Sequence, residues 1–266
     1  MFLAIFTTNF SDDNKQNLLK ELNDFQPGIS DVNPLRILLY GPVGAGKSSF
    51  INSVDSALQG RIKNRALADS VSGKSFTLET KEYELKMEET TLLPFTLIDT
   101  KGIEEEPGNG MKIDDIIRTG HIKNKPNIPK NEKNRTPLQD QIHCLVAVLP
   151  ANTISLMVDD VIRQMREVRL IARDLDIPQV IIMTKVDEAC PQVKYNIRSV
   201  NDSKKIEEQV EQCFSRLGVP MSYIYPMKNY HKEQINNTEM DILILQAMLN
   251  IVNFANDYVK DQMDKK

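Results

Sequence analysis

Apolar residues in this chain fall into short continuous runs, and amphipathic stretches separate them. RILLYG is apolar and too short for a helix, which predicts a buried strand. LPFTLID, HCLVAVLP, PQVIIMTK and SYIYP predict further strands in the same way. KSSFINSVDSALQ sets Phe50, Ile51, Val54 and Leu58 at helical spacing. MVDDVIRQMREVRLIARDLD predicts a second helix with Val158, Ile162, Met165, Val168 and Ala172 on one face, and DSKKIEEQVEQCFSRLG a third that stops at Gly218. Residues 111–119 predict a short helix and residues 238–260 a long final one. FTLETKEYELK alternates apolar and polar positions, the mark of an exposed or edge strand. Near the start, NKQNLLKELNDF predicts a short helix before the turn-rich QPGISDVNP. Residues 59–75 predict a polar loop, and residues 120–138, with Pro126, Pro129 and Pro137, a mobile one. Apolar strands alternating with helices predict an α/β fold with a central, mostly parallel sheet flanked by helices. Such sheets bind ligands beyond the carboxyl ends of their strands. No internal repeat interrupts the pattern. The expected organisation is an N-terminal extension over 1–34 and one domain over 35–262, with a basic insert at about 103–138.

Composition narrows the function. A chain of 266 residues with 41% hydrophobic residues can bury a full core. A net charge of -4 and a pI near 5.6 give no general case for nucleic-acid binding. Cys144, Cys190 and Cys213 are too widely spaced for a disulfide framework or a zinc site. The apolar start MFLAIFTTNF has no basic flank, no run is judged long enough to span a bilayer, and the C-terminus DQMDKK has no prenylation cysteine. These features predict a soluble, cytoplasmic protein.

The chemistry begins at GPVGAGKSSF, directly after the first strand. Gly41, Gly44, Gly46, Lys47 and Ser48 fit G-x-x-x-x-G-K-[ST] without a mismatch. Glycines let backbone N–H groups approach a phosphate closely, and the following helix presents its N-terminus to it. Gly41, Val43, Gly44, Ala45, Gly46, Lys47, Ser48 and Ser49 are therefore the expected phosphate cradle. Lys47 would reach the β- and γ-phosphates, and Ser48 would ligate Mg²⁺. DTKG, Asp99 to Gly102, follows the strand LPFTLI. Asp99 could hold Mg²⁺ through water, and the Gly102 N–H could meet the γ-phosphate. A second hydroxyl ligand is expected from Ser72, Ser75 or Thr77, with Thr77 preferred.

TKVD, Thr184 to Asp187, follows PQVIIM. An Asp187 carboxylate could accept from both N1–H and the exocyclic amine of guanine, whereas adenine offers neither donor there. Lys185 belongs to the same segment, and Thr184 stands where asparagine is commoner, which removes an amide contact. After SYIYP, backbone groups near Lys228 and Asn229 are placed to touch the base. Each motif alone has a plain reading as a turn or a solvated loop. Their order, each at a strand-to-loop junction, points to GTP or GDP with Mg²⁺. An ATPase of the same P-loop type would use Asp99 but leave TKVD unexplained.

The arrangement resembles a translation-factor-like P-loop GTPase domain. More narrowly, it is similar to the GTPase region of the interferon-induced protein 44 and 44-like family. The residues that carry this are GPVGAGKSSFINSV, IDTKGIEEE, LQDQIHCLVAVLP, TKVD, LGVP and KNYHKE, over roughly residues 35–260. The resemblance implies a guanine-nucleotide-binding role in interferon-driven antiviral responses. Longer family members carry a TLDc-type domain upstream. Residues 1–34 show no counterpart, so that domain's properties are not carried over. The fourth motif is degenerate in the family's human members, whereas TKVD here is intact.

Two activities stay open on this reading. One is a slow, Mg²⁺-dependent GTPase; the other is a nucleotide-stabilised interaction module with little turnover. Ile103 follows DTKG where small GTPases carry a water-orienting glutamine, and the P-loop has no arginine. Catalysis would then need a second molecule: a homodimer through the G domains, or another protein. Lys101, or the basic loop with Lys123, Lys125, Lys130, Lys133 and Arg135, could act across such an interface. His143 is expected to be structural, Met157, Met165 and Met183 to lie in the core, and Glu104–Glu106 to form a solvated run.

Overall fold

The computed structural model describes residues 8–66, 80–88, 90–104, 113–120 and 136–265. Its sheet holds six strands in the order β2-β3-β1-β4-β5-β6. These are β1 (Leu35–Tyr40), β2 (Lys81–Met87), β3 (Thr91–Asp99), β4 (Cys144–Pro150), β5 (Gln179–Thr184) and β6 (Ile224–Pro226). All neighbours are parallel except β2, which runs antiparallel to β3 at the edge. Every residue of β4 is buried, as a strand covered on both faces requires, whereas β2 keeps the mixed burial of an edge. Pro94 sits within β3 just before its pairing with β1 begins at Phe95, opposite a register shift between Glu84 and Lys86. A proline that cannot donate to the ladder is tolerated at such a place.

The longer helices are α1 (Asp12–Asp24), α2 (Lys47–Gln59), α4 (Asp159–Asp174), α7 (Lys204–Leu217) and α8 (Thr238–Asp264). Shorter ones are α3 (Ile113–Thr119), α5 (Val186–Ala189) and α6 (Pro191–Tyr195). α1 and α2 pack on α8, and α3 and α7 pack on α4. The Ser11 hydroxyl caps α1 by accepting from the Asn14 N–H, and Leu18 and Leu22, one turn apart, join the common core. Residues of the expected N-terminal extension thus share the core of the domain. Gly218 stops α7 in a left-handed conformation, as its place in the sequence implied.

Some boundaries differ from expectation. Among the described residues the edge strand runs Lys81–Met87, and the earlier part of its expected span, residues 76–79, lies outside the described residues. SYIYP yields only the three-residue strand β6, because Met221–Tyr223 close into a 3-10 turn first. The polar loop after α2 is fastened through Ala66. Asn52 donates to the Ala66 carbonyl and accepts from its N–H, and Arg65 pairs with Asp55 at 2.6 Å. By length and composition α8 could cross a membrane, which the sequence reading had excluded. However, 72% of its apolar window is buried inside the protein, so it serves as a core helix.

His143, at the entry to β4, is structural as expected. Its Nδ1 accepts from the Arg36 N–H and its Nε2 donates to the Leu138 carbonyl, both at 2.8 Å. Burial lowers its pKa to about 4, against the opposing pull of that carbonyl. Met165 and Met183 are fully buried, Met157 partly so, and all three cysteines are free and buried.

Candidate functional site

The parallel arrangement brings the carboxyl ends of β1, β3 and β5 to one edge of the sheet, and the three sequence motifs gather there. Gly41–Gly46 link β1 to α2, with positive φ at Gly41, Gly44 and Gly46. Lys47 folds back over this loop, its Nζ donating to the carbonyls of Gly41 and Pro42, each at 3.1 Å. Burial lowers the Lys47 pKa to about 8, and the nearby Asp99 carboxylate partly offsets that. An ammonium held in a dry site beside a glycine-rich turn is poised for an anion, which would restore its charge.

One residue further along α2, the Ser48 hydroxyl donates to Asp99 Oδ2 at 2.6 Å, and both side chains are buried. A hydroxyl and a carboxylate at this range form an all-oxygen donor pair, which suits Mg²⁺ completed by water and phosphate oxygens. Among the described residues no cluster of three or more His, Cys, Asp or Glu offers a different metal site.

The chain after β3 is pressed against the phosphate loop. The Ile103 N–H donates to the Gly41 carbonyl at 2.9 Å, and the Val43 N–H donates to the Ile103 carbonyl at 3.2 Å. Gly102 permits this approach: a Cβ there would come within 2.7 Å of both Cα and Cγ2 of Val43. Ile103 is itself only 8% exposed. Lys101 pairs with Glu104 at 3.2 Å on the more exposed side of the same turn.

The base side is built from the ends of β5 and β6. Thr184 is fully buried, and its Oγ1 donates to the Ala45 carbonyl at 2.6 Å. Lys185 takes a positive φ of 57° and turns the chain so that Asp187 lies on α5, a single helical turn instead of a loop. Lys228 lies 3.8 Å from Asp187 and 2.7 Å from Glu233. Burial alone would raise the Glu233 carboxyl, but the His231 N–H and the Lys228 ammonium bring it down to about 2.

At Lys228 and Asn229 the side chains engage the site, where only backbone groups were expected. The Asn229 Nδ2 donates to the Gly46 carbonyl at 3.1 Å. The Tyr230 N–H donates to Ser53 Oγ on α2 at 2.9 Å, and its hydroxyl donates to Asp241 Oδ1 at 2.7 Å. Asp241 in turn pairs with Lys15 of α1 at 2.7 Å. Glu233, Tyr230 and Asp241 were not foreseen. For Tyr230 and Glu233 the signal was KNYHKE itself, which pairs charges with an aromatic directly after a strand, whereas Asp241 lies beyond it in the first turn of α8.

Ser72, Ser75 and Thr77 lie outside the described residues, as do Lys123, Lys125, Lys130, Lys133 and Arg135. All the other residues named from the motifs sit along one edge, from Gly41–Ser49 through Asp99 and Gly102 to Thr184, Lys185, Asp187, Lys228 and Asn229.

Comparison with known proteins agrees with this layout. Residues 36–185 match the family described as 50S ribosome-binding GTPase. Human interferon-induced protein 44-like is 31% identical over 94% of this chain and 58% of its own length. Mouse interferon-induced protein 44 is 31% identical over 92% of this chain and 60% of its own length. The chain thus spans a little under two thirds of these relatives. A solved structure described as a probable GTP-binding protein engB covers 85% of this chain and 99% of its own, at 17% identity and a TM-score of 0.46. The likeness to the interferon-induced 44 and 44-like proteins therefore runs through almost the whole chain, and the chain belongs to the P-loop GTPase family that its residues 36–185 match.

Proposed function

We propose that this chain binds GTP and GDP and hydrolyses GTP slowly, with Mg²⁺ as cofactor. The observation that carries the reading is the convergence of Lys47, Ser48, Asp99 and Asp187 on one edge of the parallel sheet. In this reading Lys47 and the amides of the phosphate loop take the β- and γ-phosphates, and the Gly102 N–H approaches the γ-phosphate. Ser48 and Asp99 would hold Mg²⁺, which when bound supplies neutralisation of charge on the phosphate oxygens. Asp187 accepts from N1–H and the amine of guanine, while Lys228, anchored by Glu233, sets the electrostatics beside it. A site that pairs buried polar groups with one ligand rejects an analogue lacking those groups by up to roughly 10⁴–10⁵.

Titration with GDP, GTP, ADP and ATP tests this. Guanine nucleotides should bind much more tightly than adenine ones, and Asp187→Asn should shift preference toward xanthine, whose C2 carbonyl can accept from the new amide. Equal affinity for both bases would refute it.

A second reading is favoured by Ile103, whose backbone is tied to the phosphate loop and whose side chain cannot orient water. On that reading the protein is an interaction module stabilised by nucleotide with scarcely any turnover. Single-turnover hydrolysis separates the two. The relatives' names extend the proposal to an interferon-induced setting, and we place a cytoplasmic, antiviral role within the same proposal. Protein abundance before and after interferon treatment of cells from the source organism checks that part.

A further inference from the structure

Two adjacent carbonyls of the phosphate loop are held by side chains from two different strand ends. Thr184 Oγ1, at the end of β5, donates to the Ala45 carbonyl at 2.6 Å. Asn229 Nδ2, past β6, donates to the Gly46 carbonyl at 3.1 Å. A hydroxyl has one proton to give. That of Thr184 is committed to Ala45, with the Leu149 carbonyl as a second acceptor at 3.3 Å, so Thr184 cannot also serve Gly46.

Gly46 is shaped for the amide that does. It has a φ of +95°, and a Cβ on it would come within 2.9 Å of Asn229 Nδ2. Its carbonyl also accepts the first helical bond from the Phe50 N–H at 2.8 Å, which leaves one lone pair for Asn229. The next residue, Tyr230, is fastened to Ser53 of α2. The segment after β6 therefore grips both the phosphate loop and the helix that follows it.

We infer that Asn229 is a positioning residue that joins the base side of the site to the phosphate loop, performing with its amide what the lone hydroxyl of Thr184 cannot. In a trans peptide unit the C=O and the following N–H point in opposite directions. Drawing the Ala45 and Gly46 carbonyls toward β5 and β6 thus aims the Gly46 and Lys47 N–H groups the other way, out of the loop. Asn229 and Thr184 fix consecutive peptide units of one loop, so they act as one clamp. Once either is lost, the loop is already loosened, and losing the second costs less.

This inference rests on the guanine-nucleotide reading above. It is tested by measuring GDP and GTP dissociation constants for the wild type, Asn229→Ala, Thr184→Val and the double variant, with urea unfolding of each protein without nucleotide. Loss of one neutral hydrogen bond should weaken both nucleotides by about twofold to tenfold in Asn229→Ala. Unfolding without nucleotide should stay two-state and lose no more than this one bond accounts for, and the double variant should lose less affinity than the product of the single losses. Asn229→Leu, which keeps a similar size but carries neither donor nor charge, should behave like Asn229→Ala and serves if the alanine variant fails to fold. Wild-type affinity in Asn229→Ala and Asn229→Leu would overturn the inference. So would variants unfolded without nucleotide to an extent that accounts for the whole loss, or fully multiplicative effects with Thr184→Val. A wild type that binds no guanine nucleotide would overturn the underlying reading as well, and so is told apart from failure of the clamp alone.

Discussion

The Ser48 hydroxyl and the Asp99 carboxylate meet at 2.6 Å, although they come from the first turn of α2 and the last residue of β3. The parallel pairing of β1 with β3, which sets Leu39 beside Asp99, is what makes them neighbours. Their closeness predicts that Ser48→Ala removes an oxygen ligand and leaves Asp99 to hold Mg²⁺ alone. GTP affinity measured with and without Mg²⁺ should differ less in Ser48→Ala than in the wild type. An unchanged magnesium dependence would remove Ser48 from the metal site.

Lys47 gives a pH signature. In the free protein its pKa lies at about 8 because burial disfavours the charge. A phosphate ligand favours the charged form, so above that pH binding must take up a proton. Affinity for GDP should hold steady below the free pKa and fall about tenfold from pH 7 to 9. Lys47→Ala should bind more weakly, by about tenfold to a hundredfold for a charge-assisted contact, and show a flatter profile. Isothermal titration across that range, in buffers of differing ionisation enthalpy, checks both the affinity and the proton uptake.

The strand cores and the phosphate loop were legible in the sequence because each is a local pattern: an apolar run, or glycines at fixed spacing before Lys47. Asp99 was legible because it ends such a run, and Asp187 because TKVD follows one directly. The contacts of Asn229 and Tyr230 were not, since they join residues far apart in sequence. Asn229 meets Gly46, and Tyr230 meets Ser53, only because β6 lies beside β5 at one side of the sheet. The helical setting of Asp187 was missed for a different reason. VDEA is too short to show a period, and the turn depends on the positive φ of Lys185. KEYEL was legible as an edge strand because its alternation matches its pairing with β3 from Lys81 to Met87.

His143 predicts an acid-side loss of stability. Its pKa is about 4 in the folded chain against an ordinary value of 6.5. Between those values the unfolded state binds the proton and the folded state does not, so stability falls as pH falls through that window. The contribution is complete above the unfolded pKa. Urea unfolding should show the wild type losing about 2 kcal/mol from this group between pH 7.5 and pH 5. His143→Gln, which cannot take up a proton, should be less stable at neutral pH and lose less on acidification. An equal acid loss in both proteins would mean that other groups drive it.

Turnover should be slow and should depend on a second molecule. The site brings Lys47, Ser48 and Asp99 together, and in the proposed reading these would position a γ-phosphate and neutralise charge. At Ile103, however, the side chain is buried and the backbone N–H and carbonyl are bonded to Gly41 and Val43. That residue can neither orient a water with its side chain nor swing out without breaking the bridge to the phosphate loop. Lys101 sits two residues earlier, part-exposed and paired with Glu104 at 3.2 Å, where it could exchange that partner for a facing molecule. A stabilising arginine supplied from another protein raises such rates by about 10³–10⁵, so a lone domain without one should lie far below that level. GTP turnover per molecule should therefore rise with protein concentration if two G domains pair, and Lys101→Ala should blunt the rise while leaving GDP affinity near the wild type. Measured across a wide concentration range, a fast rate that stays constant and is unaffected by Ile103→Ala or Lys101→Ala would show that one chain completes the reaction with a water-orienting group elsewhere.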